Sequence, residues 1–257
     1  MVDLKFHALS PFIVQTKIEQ EFIDLLLEKG KESQKKNLPG WTGPFDHAGV
    51  VKEAHYYDNK EYGPWFIPKF SPYMDAYIKG VSDYCQRAFR WKKQPLNINL
   101  TSLWINYQQA LEYNPPHNHD GDVSFVIYLQ VPDEIKKENK EMQGVHNNLG
   151  PGVIHFDFPG VQLPFCGTTF SQLPEVGDLF MFPSWLTHHV SSFKTDVERI
   201  SVSGNINFEN KEDKIYQLKK NSVLALLYSV NTIEIKEKES LKKYQKRSFL
   251  KDWLHEN

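Results

Sequence analysis

The chain has 257 residues, 40% of them hydrophobic and 24% charged, a balance that allows one large domain with a sizeable buried core. A formal net charge of −2 provides no global field to draw in nucleic acid or an acidic membrane, and no apolar run approaches the roughly 20 residues that span a bilayer. Two cysteines, Cys85 and Cys166, are too few for a secreted disulfide framework, and the first six residues lack the apolar stretch of a signal peptide; a soluble cytoplasmic protein is expected.

The first hundred residues read as helices and loops. Thr16 and Glu19 stand at capping-box spacing, where the hydroxyl and the carboxylate satisfy the free N–H groups of a helix start. Ile18, Phe22, Leu25 and Leu26 recur at helical spacing, and Gly30 offers a stop. Residues 39–68 are rich in Gly, Pro and aromatic rings, which predicts loop or short strand. Those rings, from Trp41 to Phe70, either cover a barrel mouth or pack the helices on a sheet. Ser71 and Pro72 open a second helix, whose apolar stripe runs through Met74, Tyr77, Ile78, Val81, Tyr84, Cys85 and Ala88.

From about residue 96 the pattern changes to strands. Residues 96–100 alternate, 103–107 are strand formers, 124–131 form a buried run ended by Pro132 and Asp133, and 152–158 alternate again. Residues 178–182 and 199–203 complete a set of short strands separated by turn residues, the signature of a sandwich or barrel. After Asn210 a helical signal returns. Residues 223–230 are apolar, and 234–257 mix Lys and Glu with Leu241, Tyr244, Phe249, Trp253 and Leu254. That last segment reads as a solvated helix pinned by its rings, or as a partner surface.

Of ten histidines, three stand out. His117 and His119 sit in the segment 114–122, just before the strand near Ser124. On an extended backbone, positions two apart point the same way, so the pair can grip one metal ion. Imidazole suits Fe, Zn, Cu and Ni alike. His188 and His189 follow the strand 178–182. Neighbours on an extended chain face opposite ways, so one of them reaches a metal, and parity alone does not choose. Arg199 and Ser201 share parity on the next strand, where a guanidinium can hold a carboxylate through two parallel hydrogen bonds and a hydroxyl can add a third. An Arg in an apolar strand needs a partner, and a core Asp or Glu would serve equally.

A histidine pair before a strand, a distal histidine some seventy residues later and an Arg-x-Ser soon after resemble the 2-oxoglutarate- and iron(II)-dependent oxygenases. The stretch Phe182-Pro-Ser-Trp-Leu-Thr-His188, followed by Glu198-Arg-Ile-Ser201, is similar to a branch found in bacteria and phages and related to prolyl hydroxylases. The resemblance covers roughly residues 96–210. It implies an α+β chain with a double-stranded β-helix, or jelly-roll, core over 96–210, supported by a helical N-terminal region over 1–95 and a C-terminal helical extension over 211–257, all one domain. In the prolyl-hydroxylase branch a Tyr ten residues before the first metal His and a Tyr in the following strand contact the co-substrate; Tyr107 and Tyr128 hold those places here. The distal His of that branch is followed by one residue and then Val, which selects His188 over His189.

The pattern departs from the family at one place. The usual second position of the pair is a carboxylate, and His119 occupies it. Two readings follow. Three histidines, His117, His119 and His188, hold the iron; or the loop bends so that Asp120 or Asp122 supplies the carboxylate. The three-histidine set is preferred because it needs no unusual backbone. The resemblance further implies Fe(II) as cofactor and 2-oxoglutarate as co-substrate, with Arg199, Ser201 and Tyr128 at its far carboxylate and Tyr107 near its metal-bound end. Molecular oxygen and a peptide or small-molecule substrate complete the reactants, the products being succinate, carbon dioxide and a hydroxylated substrate. Two rivals stand beside this reading: a cupin-type metalloenzyme without 2-oxoglutarate, in which Arg199 pairs with a core carboxylate and no cavity remains, and a non-catalytic jelly-roll binding module.

Overall fold

The computed structural model describes residues 11–36, 51–58, 62–85, 96–142, 150–158 and 167–210. The chain divides into two compact units, residues 1–93 with 98–208, and residues 94–97 with 209–257; all that follows concerns the first. Elements expected after Asn210, and the rings from Trp41 to Phe45, lie outside the described residues.

Among the described residues, ten strands and three helices follow in the order β1 (Val14–Lys17), α1 (Gln20–Lys35), β2 (Ala54–Tyr56), α2 (Tyr62–Cys85), β3 (Leu96–Gln108), β4 (Asn114–His117), β5 (Val123–Gln130), α3 (Asp133–Met142), β6 (Ile154–Asp157), β7 (Thr169–Gln172), β8 (Asp178–Pro183), β9 (Thr187–Val190) and β10 (Arg199–Asn210). They build a six-stranded sheet in the order β1-β8-β5-β10-β3-β2 and a four-stranded sheet in the order β4-β9-β6-β7. The pairing is nested: β6 with β7, β5 with β8, β4 with β9, and β3 beside β10. A ribbon folded on itself and rolled in this way is a jelly roll, the double-stranded β-helix the resemblance implies. The region before residue 96 supplies both edge strands of the larger sheet, β1 against β8 and β2 against β3.

The period of two along each strand sorts the side chains into two cores. On β5, Val123, Phe125, Ile127 and Leu129 face one cluster, while Val126 and Tyr128 face the other. On β8, Leu179 and Met181 face the first, and Phe180 and Phe182 the second. The first cluster holds Phe22, Ile23 and Leu26 of α1 and Phe66, Phe70, Met74, Tyr77 and Val81 of α2, so both helices lie on the outer face of the larger sheet. Phe66 and Phe70 stack at 4.8 Å, and Phe70 lies 4.5 Å from Phe125. The second cluster joins that sheet to Ile154 and Phe156 of the smaller one and to Leu186 in the turn between β8 and β9, and the candidate site opens beside it.

Several helix boundaries differ from expectation. Thr16 caps nothing: it lies in β1, paired with Leu179, and α1 starts at Gln20 with Glu19 as an N-cap that makes no side-chain bond. Gly30 does not stop α1. It is a buried residue inside the helix, and a Cβ there would run into Ile105 Cδ1 of β3; the glycine serves close approach of helix to sheet. The second helix begins at Tyr62 rather than at Ser71, and carries Pro68 and Pro72 inside it. Both prolines are exposed, and the Pro68 carbonyl, which Pro72 leaves without a helical donor, accepts from the Ser71 hydroxyl at 3.4 Å. Helix α3 follows Pro132 with Asp133 and Glu134 in its first turn, a placement that the positive end of a helix favours; it is absent from the sequence reading.

Candidate metal centre

His117 ends β4 and His188 lies on β9, where the two are register partners. Their rings are 4.3 Å apart, and the His119 ring lies 4.9 Å from His117 and 5.1 Å from His188. One nitrogen from each falls within 4.8 Å of the others, the spacing of ligands around a single ion. His119 sits in the turn after β4, held by its backbone N–H to the Ser184 carbonyl at 3.0 Å. That turn is tied down further: Ser184 N–H donates to the Asp122 carbonyl at 3.2 Å, and the buried Ser184 hydroxyl lies 2.9 Å from that of Ser124.

The electrostatics suit a cation. Burial pushes His188 well below the usual imidazole range, with His117 adding to the effect. Burial, reinforced by His117, brings His119 down to about 4, and burial lowers His117 as well. All three rings are therefore neutral near pH 7, with lone pairs to offer. Two of them are already oriented: His117 Nδ1 lies 2.7 Å from the Pro115 carbonyl and His188 Nδ1 3.0 Å from the Leu186 carbonyl. A carbonyl only accepts, so each Nδ1 carries the proton and each Nε2 is free to bind metal.

The other acids and bases near this site are turned elsewhere. Asp120 and Asp122 are exposed, and an Asp122 carboxylate oxygen accepts from Phe208 N–H at 2.7 Å. Neither is in the three-histidine group. His189 has the opposite parity to His188. Its ring stacks on His155 at 4.3 Å and its Nδ1 lies 3.1 Å from Asp157 Oδ2.

A cavity of about 200 Å³ connects the histidines to the predicted co-substrate residues. His117, His119, His188, Tyr128, Arg199 and Ser201 all line it. Ser201 and Tyr128 are register partners on β10 and β5. Arg199 is 3% exposed, yet among the described residues it makes no ion pair. Its Nη1 donates to the Gly152 carbonyl at 2.6 Å and its Nη2 to Gln108 Oε1. The guanidinium lies 5.4 Å from the Tyr128 ring and 5.8 Å from that of Phe193. Burial lowers the arginine and raises Tyr128 to about 12, so the tyrosine keeps its proton near neutrality, as a guanidinium does in proteins generally. The Tyr128 hydroxyl is buried with no hydrogen-bond partner. A buried cation without a counter-ion and a buried hydroxyl without an acceptor are both costly. A carboxylate placed between them would satisfy both, so the donor set fits the far end of 2-oxoglutarate as the histidines fit iron(II). The arrangement the cupin rival needs, an arginine paired with a core carboxylate and a filled interior, is not found.

Tyr107 is a correction. It shares parity with Leu103 and Ile105 and belongs to the outer core. Its hydroxyl lies against Gly30 of α1, 3.3 Å from where a Cβ would stand. It does not line the cavity. The inward residues of β3 are Trp104, Asn106 and Gln108, which the sequence reading missed. Their polar or aromatic character at alternate positions, 104, 106 and 108, is the signal that could have found them. Gly152 was missed as well. Its φ of 77° lies in the left-handed region that suits glycine, and its carbonyl meets Arg199. Helix α3 steadies this turn: Asn139 Nδ2 donates to the Pro151 carbonyl at 2.8 Å, and Ile135 packs where a Gly152 Cβ would project.

Residues 102–205 match the family model described as "Putative 2OG-Fe(II) oxygenase". The segment that carries the site is thus similar to that of the 2-oxoglutarate- and iron(II)-dependent oxygenases. Comparison with curated proteins finds no match. Among solved structures, a prolyl-4-hydroxylase of Pseudomonas putida is similar at 13% identity and a TM-score of 0.45, over 77% of this chain and 93% of that one. A viral collagen prolyl hydroxylase from Paramecium Bursaria Chlorella virus-1 is 13% identical with a TM-score of 0.45, over 76% and 94%. The α-ketoglutarate-dependent epimerase SnoN of nogalamycin biosynthesis is 14% identical with a TM-score of 0.49, over 76% and 75%. These likenesses assign no substrate or reaction to this chain. No helix among the described residues is long and apolar enough to cross a membrane.

Proposed function

We propose that the protein is a hydroxylase whose iron is held by His117, His119 and His188 and whose 2-oxoglutarate is held at its far carboxylate by Arg199. Iron(II) and 2-oxoglutarate, when bound, would supply the oxidising chemistry with molecular oxygen, one of whose atoms would end in the succinate formed with carbon dioxide from the keto acid and the other in a substrate C–H bond. The single observation that carries the reading is the buried, ion-pair-free Arg199 in the same cavity as the three-histidine cluster.

The chain's own residues bind, orient and exclude water. The backbone carbonyls of Pro115 and Leu186 fix the ring tautomers of His117 and His188. Arg199 offers guanidinium N–H groups and Tyr128 its hydroxyl to one carboxylate, and Ser201 stands beside Tyr128 to add a further hydrogen bond. Val126, Ile154, Phe182 and Val190 form the apolar wall of the cavity and keep it dry. No side chain acts as a general base. Three neutral ligands leave the iron one positive charge richer than two histidines and a carboxylate would, which favours a dianionic co-substrate. The prime substrate is a peptide side chain or a small molecule.

The test is to add iron(II) and 2-oxoglutarate to the purified protein without oxygen and look for the weak visible charge-transfer band of the ternary complex, then admit oxygen and measure succinate. A band followed by succinate above background is expected; absence of both would sink the proposal.

A further inference from the structure

Arg199 is positioned wholly by neutral groups. Nη1 is held by the Gly152 carbonyl and Nη2 by the side-chain amide of Gln108. Gln108 is 5% exposed and lines the cavity. Its orientation is fixed from behind, because its Nε2 donates to the Glu112 carbonyl at 2.6 Å. The amide nitrogen must face that carbonyl, so Oε1 must face the arginine. The nearby acid is diverted. Glu112 is 3% exposed, and its carboxylate accepts from the backbone N–H groups of Gln109 at 3.0 Å and Lys52 at 3.4 Å. A carboxylate is spent on the loop, and an amide of the same shape as glutamate is set against the guanidinium.

We infer that Gln108 is a positioning residue that aims Arg199 while leaving its charge uncompensated, and that this sets selectivity for a 2-oxo acid with a second carboxylate over one without. The inference rests on the 2-oxoglutarate reading of the site. A glutamate at 108 would form the buried ion pair that arginine otherwise lacks, and an incoming carboxylate would have to compete with it. A purely structural Gln108 would affect all ligands of the pocket alike.

Binding is measured by calorimetry on the iron(II)-loaded protein without oxygen, with 2-oxoglutarate and with 2-oxovalerate, which has a methyl group in place of the far carboxylate. Gln108→Glu is expected to weaken 2-oxoglutarate about ten- to a hundredfold, the worth of a charge-assisted contact. It should leave 2-oxovalerate within about threefold and iron affinity unchanged. Gln108→Met, which removes the aiming bond and adds no charge, should weaken 2-oxoglutarate by less, about three- to tenfold, again sparing 2-oxovalerate. The inference is overturned if Gln108→Glu binds 2-oxoglutarate as the native chain does, or weakens both acids equally. Should Gln108→Glu not fold, an unchanged ratio of the two affinities in Gln108→Met overturns it alone. Failure of the native protein to bind 2-oxoglutarate is a different result, and strikes the proposed function itself.

Discussion

His117 and His188 face each other across the β4–β9 ladder as register partners, their rings 4.3 Å apart. A ligand pair fixed by sheet register needs little reorganisation to receive a metal, and the next residue, His189, stands opposite His155 on the β6–β9 ladder with its side chain against Asp157. His188→Ala should therefore abolish tight iron binding, while His189→Ala should retain it within about threefold, because only the former removes a ligand. Metal titration of the two variants checks this. Equal loss in both would show that parity does not choose the ligand.

Arg199→Ala should weaken 2-oxoglutarate by about a hundredfold or more with iron affinity nearly intact, since the far carboxylate loses its cationic partner. Tyr128→Phe separates binding from folding. Its hydroxyl is buried and unpartnered, so its removal should leave thermal stability unchanged or raised, while 2-oxoglutarate binding falls about tenfold. A Tyr128→Phe protein that melts early yet binds normally would mean the hydroxyl serves the fold.

The sheet core and the pairing of His117 with His119 were legible from alternation, while the choice of His188 over His189 came from the resemblance. The strands at 96–108, 123–130, 154–157, 178–183 and 199–210 carry β-branched and aromatic residues at the spacing a two-sided sheet demands. Arg199 and Ser201 followed from parity, and Tyr128 from the resemblance. Tyr107 failed because a sequence distance to His117 was given more weight than parity: Leu103, Ile105 and Tyr107 form the apolar side of β3, and that side packs on α1. The helix starts failed for a different reason. Thr16 is a β-former drawn into an edge strand against β8, a tertiary pairing that local capping rules do not register. Alternation at 104, 106 and 108 turns Gln108 inward but does not reveal its partner, and Gly152 was invisible because its importance comes from a long-range contact with Arg199.

Gly30→Ala tests the packing of α1 on β3. In an exposed helix the change stabilises by up to about 1 kcal/mol. Here the new methyl would meet Ile105 Cδ1 and crowd the Tyr57 and Tyr107 hydroxyls. The expected result is a loss of about 1–3 kcal/mol, read by chemical denaturation. A gain would mean that α1 has room to move off the sheet.

The metal-free protein should lose stability in mild acid. His119 and His155 are both brought down to about 4, chiefly by burial, against about 6.5 in an unfolded chain. Above about pH 6.5 both states are neutral, and the full stability is present. As the pH falls the unfolded chain takes up protons first, so stability declines between about 6.5 and the folded values near 4. Denaturation midpoints at pH 7.5 and 5 should fall in that order, and a double variant, His119→Gln with His155→Gln, should reduce the difference, the rest belonging to His117 and His188. No change in the native protein across this window would contradict the burial of these rings.

The most direct test of the central claim is diffraction from crystals grown without oxygen in iron(II) and 2-oxoglutarate, with anomalous data at the iron edge. The account predicts one iron peak bonded to nitrogens of His117, His119 and His188, and a 2-oxoglutarate carboxylate between Arg199 and the Tyr128 hydroxyl. Iron ligated by Asp120 or Asp122 in place of His119, or a keto acid whose far carboxylate lies away from Arg199, would contradict it.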